Sequence, residues 1–124
     1  MLSKWHSLEC GSGDELEGMK ALAFAPSGSP WFDGHFPDQP ILPGIAMIAM
    51  AFDVARHKEA QKGINIRLIS VKRVRFKKPV RPDEPFKLVL SREQKELGIS
   101  YHFIILLNEE AVCTGMLTVE QHAA

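Results

Sequence analysis

The hydrophobic pattern changes period along the chain. Residues 16–25 place Met19, Ala21, Ala23 and Ala25 on one side and Leu22 and Phe24 on the other, the alternation of a strand. A shorter strand is expected over residues 4–10, closed by the turn cluster Gly11-Ser12-Gly13-Asp14. Pro26-Ser27-Gly28-Ser29-Pro30 breaks the second strand, and an irregular segment follows over residues 31–42. A helix is predicted from about residue 43 to about residue 61. Its first two turns, Ile45-Ala46-Met47-Ile48-Ala49-Met50-Ala51-Phe52, are apolar all round, which predicts burial on every side. Its last turns, Arg56-His57-Lys58-Glu59, are polar, and Gly63 is a C-terminal stop.

Beyond the helix the spacing returns to that of strands. Residues 64–80 are β-branched and basic, Pro82-Asp83-Glu84-Pro85 is a turn, and residues 86–92 form a further strand. Ile99, Tyr101, Phe103 and Ile105 alternate with Ser100, His102 and Ile104, giving a strand with one buried face. Asn108-Glu109-Glu110 makes a hairpin turn into a closing strand over residues 111–120. A helix apolar all round needs a sheet curved about it. Strands joined by short turns are expected to be antiparallel neighbours. The predicted class is α+β, an antiparallel β-sheet wrapped around one long central helix.

Composition narrows the class without changing it. A chain of 124 residues is expected to form one domain, residues 1–124. Hydrophobic content of 45% and charged content of 24% are ordinary for a soluble globular protein. Fifteen basic residues balance fifteen acidic ones, so whole-chain charge argues neither for nucleic acid nor for a membrane surface as partner, and neither is expected. The apolar run over residues 45–52 is too short to span a bilayer, and the first six residues lack the apolar core of a signal peptide. A cytoplasmic protein with Cys10 and Cys113 reduced is therefore expected.

Candidate chemistry concentrates just before the helix, in His35-Phe36-Pro37-Asp38-Gln39-Pro40-Ile41-Leu42-Pro43-Gly44. Three prolines stiffen the approach, and Pro43-Gly44 opens the helix. A lone histidine held just upstream of a helix N-terminus is a layout for a base beside an anion or carbonyl site. Gly34-His35-Phe36-Pro37, Pro40 and Pro43-Gly44, with the second block Phe76-Lys77-Lys78-Pro79-Val80-Arg81-Pro82-Asp83-Glu84, resemble the 3-hydroxyacyl-acyl-carrier-protein dehydratases of the hot-dog fold. The similarity covers roughly residues 31–120.

The resemblance implies a 3-hydroxyacyl-thioester dehydratase of fatty-acid or polyketide-type synthesis. His35 is its base, and the N–H groups of Gly44 and Ile45 are its oxyanion donors. The family's acid stands five positions after the glycine, where this chain has Ala49. Asp53, one turn on, is a candidate substitute acid, read more readily as a polar residue that ends the buried part of the helix or pairs with Arg56 or His57. No cofactor is implied, because the substrate rides on the phosphopantetheine of an acyl-carrier protein or of coenzyme A. Family sites are built across a dimer. A homodimer or an assembly of dimers is expected, or a heterodimer whose second chain brings the acid. The alternatives are an acyl thioesterase on the same fold and a non-catalytic acyl-thioester or carrier-binding subunit.

Other residues carry less. Lys72, Arg73, Arg75, Lys77, Lys78 and Arg81 have no acid nearby in sequence, so they read either as a solvated strand face or as a docking surface for an acidic carrier protein. Asp33 and Asp38 flank the histidine motif as turn aspartates and lesser candidate acids. Phe32, Phe36, Met47 and Met50 are candidates for an acyl tunnel or for ordinary core. His6, His57, His102 and His122 show no ligand spacing, and no metal site is expected.

Overall fold

A computed structural model describes residues 5–10, 19–33, 40–96 and 98–122. In chain order these are β1 (Ser7–Cys10), β2 (Met19–Phe24), a 3-10 turn (Pro30–Phe32), α1 (Gly44–Gln61), β3 (Ile66–Phe76), β4 (Phe86–Lys95), β5 (Gly98–Leu107) and β6 (Glu110–Gln121). The strands form one antiparallel sheet in the order β1-β2-β4-β5-β6-β3. Met47, Met50 and Val54 of α1 lie in one core with Phe86, Leu88, Leu90, Tyr101, Phe103, Ile105, Leu117 and Val119 from the sheet. Met47 and Met50 are therefore core residues.

Local chemistry accounts for the boundaries. Met19, Ala21 and Ala23 of β2 are buried while Lys20, Leu22 and Phe24 face out, as strand alternation requires. Pro43 is the N-cap of α1. At the other end Gly63 has φ of 78°, its N–H bonds to the Ala60 carbonyl, and that of Ile64 bonds to the Glu59 carbonyl. This pair of bonds caps the helix through a left-handed glycine. Asn108 and Glu109 have φ of 52° and 65°, the positive values that a two-residue hairpin turn needs to match strand twist.

Three expectations are corrected. First, α1 is not buried on every side. Ala46, Met47, Met50, Ala51, Val54 and Ala55 face the sheet, but Ile45 is 69% exposed and Ile48, Ala49 and Phe52 are half-buried. The sheet of one chain covers one side of the helix only. Second, β3 and β4 are not neighbours: β3 pairs with β6 at the sheet edge, and β4 lies between β2 and β5. The strand ends at Phe76, and residues 77–85, with Pro79, Pro82 and Pro85, cross the fold instead of turning back. This crossing is pinned by Lys77 N–H to the Val112 carbonyl (2.8 Å), Leu42 N–H to the Val80 carbonyl (2.7 Å) and Asp83 N–H to the Ala25 carbonyl (2.7 Å).

Third, the polar last turns of α1 are not uniformly outward: Glu59 is fully buried. Its Oε1 accepts from Arg92 Nε at 2.6 Å and from the Tyr101 hydroxyl. Its Oε2 has no donor among the described residues. Burial, then the adjacent carboxylate, pushes the Tyr101 phenol above its ordinary value.

Phe103 is accommodated by a missing side chain. A Cβ at Gly115 would sit 2.6 Å from Phe103 Cζ and 3.1 Å from Val74 Cγ2. Gly115→Val is expected to lower stability by about 1–3 kcal/mol through overpacking, read as a lower denaturation midpoint.

Candidate active site

The chain enters α1 through Pro40, Ile41, Leu42 and Pro43. Leu42 is buried and bonded to the second motif block through Val80, so the entry angle of the helix is set by residues far away in sequence. Pro43 offers no side-chain cap, and the first turn of α1 has no acidic residue. The first bond of the turn is Ala46 N–H to the Pro43 carbonyl at 3.0 Å. The N–H groups of Gly44 and Ile45 have no acceptor among the described residues, so the positive end of the helix dipole is left for a ligand oxygen.

Gly44 also has a packing reason. A Cβ there would meet the Phe76 ring at 2.4 to 3.0 Å. Phe76 opens the second motif block. The two blocks therefore meet at the helix N-terminus, Phe76 over Gly44 and Val80 bonded to Leu42.

Ile45, Ala49 and Asp53 follow one another at four-residue spacing down the more open face of α1. Ala49 is half-buried and carries no group that can exchange a proton. Asp53 is about 6 Å further along the axis. One of its oxygens is hydrogen-bonded and the other faces a histidine. Oδ1 accepts from Arg56 Nη2 at 2.8 Å, and Oδ2 lies 3.7 Å from His6 Nε2. The other nitrogen of His6, Nδ1, accepts from the Trp31 indole N–H at 3.2 Å. Trp31 packs edge-on against Trp5 with ring centroids 4.8 Å apart, and Ser29 Oγ accepts from Trp31 N–H and donates to the Trp5 carbonyl. This cluster ties residues 29–33, which lead into the histidine motif, to the middle of α1. Sequence reasoning missed His6 and Trp31, since nothing local links residue 6 to residue 53.

Among the described residues, the remaining candidates separate. His35, with Gly34, Phe36 and Asp38, lies outside the described residues. Asp33 is exposed at their edge, and Phe32 is core. Lys72, Arg73, Arg75 and Lys77 are exposed on and just beyond the edge strand β3, with no ion pair among the described residues. Lys78 does have an acid beside it, Glu110 at 2.6 Å, which sequence proximity did not reveal. Burial pushes the Cys113 thiol up to about 11 and the Cys10 thiol upward as well, so neither is a thiolate at neutral pH. No cluster of three or more His, Cys, Asp or Glu side chains suited to a metal ion is present among the described residues. No helix of the described residues is long and apolar enough to cross a membrane.

Comparison with known proteins decides the family. The family model described as ApeI-like, ApeI dehydratase, matches residues 14–116. The chain belongs to the ApeI-like dehydratase family. It is 32% identical over 115 residues to the 3-hydroxyacyl-[acyl-carrier-protein] dehydratase FabZ of Caldanaerobacter subterraneus, covering 89% of this chain and 79% of that one. It is 30% identical over 109 residues to FabZ of Haemophilus influenzae, covering 83% and 74%. In fold it is similar to the dehydratase heterocomplex ApeI:P from Xenorhabdus doucetiae, with a TM-score of 0.67 and 20% identity over 95% of this chain and 98% of that one. It is also similar to smu.793 of Streptococcus mutans bound to acetyl CoA, with a TM-score of 0.75 and 5% identity over 94% and 90%. These likenesses establish the hot-dog fold, and membership of the ApeI-like family makes the protein dehydratase-like.

Proposed function

We propose that this ApeI-like protein dehydrates a 3-hydroxyacyl thioester carried on the phosphopantetheine of an acyl-carrier protein or coenzyme A. The observation that carries this reading is the uncapped N-terminus of α1 at Gly44 and Ile45, held by Phe76 and Val80, in a chain of a dehydratase family. His35 removes the proton alpha to the thioester carbonyl. Negative charge develops on the carbonyl oxygen and is stabilised by the N–H groups of Gly44 and Ile45. The electron pair then forms the Cα–Cβ double bond as the Cβ–O bond breaks. The hydroxyl takes up a proton and leaves as water.

That last proton has no donor at Ala49. Asp53 is hydrogen-bonded by Arg56 and faces His6 at 3.7 Å, an arrangement suited to anchoring the histidine-motif segment rather than to delivering protons. The acid is therefore assigned to a second chain, in a heterodimer in which this chain brings the base and the oxyanion donors. The open edge of β3, with Leu68, Ile69 and Phe76 exposed, supports a dimeric state. The similar fold of the dehydratase heterocomplex ApeI:P supports pairing with a different chain.

The test is absorbance of the enoyl thioester formed from a 3-hydroxyacyl-carrier-protein substrate, with released thiol measured in parallel. Enoyl product appearing once an acid-bearing dehydratase chain is supplied supports the reading. Thiol release without enoyl product means a thioesterase. Neither product, with retained binding of acyl-carrier protein, means a non-catalytic carrier-binding subunit. Lys72, Arg73, Arg75 and Lys77 are proposed to dock the acidic carrier protein. Reversing the charge of Lys72 and Arg75 should raise KM for the carrier-borne substrate, more at low salt, and leave KM for the coenzyme A thioester unchanged.

A further inference from the structure

The sheet has a second face, turned away from α1. Strand register places Leu22 beside Lys87 and Lys87 beside Leu106, and in the next row Lys20 beside Val89 and Val89 beside Ile104. Each of these residues alternates with a buried neighbour such as Ala21, Leu88, Phe103 or Ile105, so all point outward together. The outcome is an apolar island of Leu22, Phe24, Val89, Ile104 and Leu106 spanning β2, β4 and β5. Leu22 is 51%, Ile104 41% and Phe24 37% exposed. A groove of about 550 Å³ runs over its centre, between Leu22, Val89 and Leu106, with Lys20, Lys87, Glu9 and Glu109 around it. A contiguous patch of this kind on a folded chain marks an interaction surface.

Two observations select the occupant. Phe24 and Ile104 lie outside the groove, so the island extends past anything a small ligand in the groove would cover. Among the described residues the rim is also electrically balanced, two lysines against two glutamates. Lys87 pairs with Glu109 at 2.6 Å, while Lys20 and Glu9 have no ion pair among the described residues. An acidic carrier protein would select a rim of one sign, as Lys72, Arg73, Arg75 and Lys77 provide near β3. A rim carrying both signs, with one free charge of each, is complementary to itself under a two-fold rotation.

We infer that the outer face of the sheet, centred on Leu22, Val89 and Ile104, docks a second copy of this chain face to face, with Lys20 of each copy meeting Glu9 of the other. This contact is separate from the β3 edge and from the helix N-terminus. In a heterodimer it joins two heterodimers through this subunit.

The experiment is molar mass by light scattering on the full chain at about 10–100 µM, for wild type, Leu22→Lys, Ile104→Lys, Lys20→Glu and the double variant Lys20→Glu/Glu9→Lys. Wild type should show this association, and both apolar-to-lysine variants should halve the mass while keeping the wild-type circular dichroism spectrum. Lys20→Glu should weaken the association, and adding Glu9→Lys should restore it. A wild-type mass unchanged in the folded lysine variants overturns the inference, as does a monomeric wild type. Loss of association in both the single and the double charge variant overturns the Lys20–Glu9 pairing.

Discussion

Ala49→Glu should raise the dehydration rate of the isolated chain by about 10²–10⁴, the usual contribution of a positioned general acid. The structure gives the new carboxyl a place to work. Ala49 is half-buried on the open side of α1, in line with Ile45 and one turn and a half below the uncapped N-terminus. Ala49 sits on the face of α1 that its own sheet covers less, beside the exposed Ile45. His35→Ala in the Ala49→Glu background should remove the gain entirely, since an acid without a base cannot start the elimination. The readout is the enoyl absorbance of a single-chain reaction with no other dehydratase present. A wild-type chain that already turns over at the Ala49→Glu rate, and loses it with Asp53→Asn, would mean that Asp53 is the acid despite its bond to Arg56.

The largest expected loss of stability follows from Glu59. Glu59→Ala strips the buried Tyr101 hydroxyl and the Arg92 guanidinium of their shared acceptor. Removing one member of a buried charge pair costs about 3–5 kcal/mol. Arg92 keeps 23% of its side chain exposed and can rehydrate, which places the loss at the lower end of that range. At roughly 4 °C per kcal/mol for a chain of this size, the midpoint of thermal unfolding should fall by about 10 °C or more. Glu59→Gln, which retains an acceptor, should lose less. The same network gives a signature in pH. The phenol is held protonated in the fold above its ordinary value of 10.0, whereas in the unfolded chain it ionises near that value. The unfolded state then binds fewer protons, so stability is fully present below about pH 10 and falls as pH rises beyond it. Tyr101→Phe should flatten that fall in a denaturation series from pH 8 to 11.

Much of the fold was legible in the chain. The period-two alternation at Met19, Ala21 and Ala23 and at Ile99, Tyr101, Phe103 and Ile105 appears as buried faces of β2 and β5. Gly63 ends the helix in the left-handed conformation that only a residue without Cβ takes up freely. The motif blocks placed Gly44 and Ile45 at a helix start, because proline and glycine act on the backbone within a few residues. Local steric rules and hydrophobic period are properties of neighbouring residues, so a sequence displays them directly.

Only the tertiary structure decided what meets across long separations. It sent β3 to the sheet edge beside β6, and it stacked Phe76 on Gly44. It buried Glu59 in a stretch whose neighbours Arg56 and His57 are solvated, because Arg92 and Tyr101 arrive from other strands to hold its charge. It brought Trp31, His6 and Asp53 side by side and left Ile45 exposed with Ile48 and Phe52 half-buried. Each of these depends on how strands order and register in space, and a side chain that finds its partner 25 or more residues away leaves no periodic trace in the sequence. By itself the sequence determined the element types, the helix ends, the motif that marks the reaction and the absence of a carboxylate at position 49. The fold determined which of its charges are free to act.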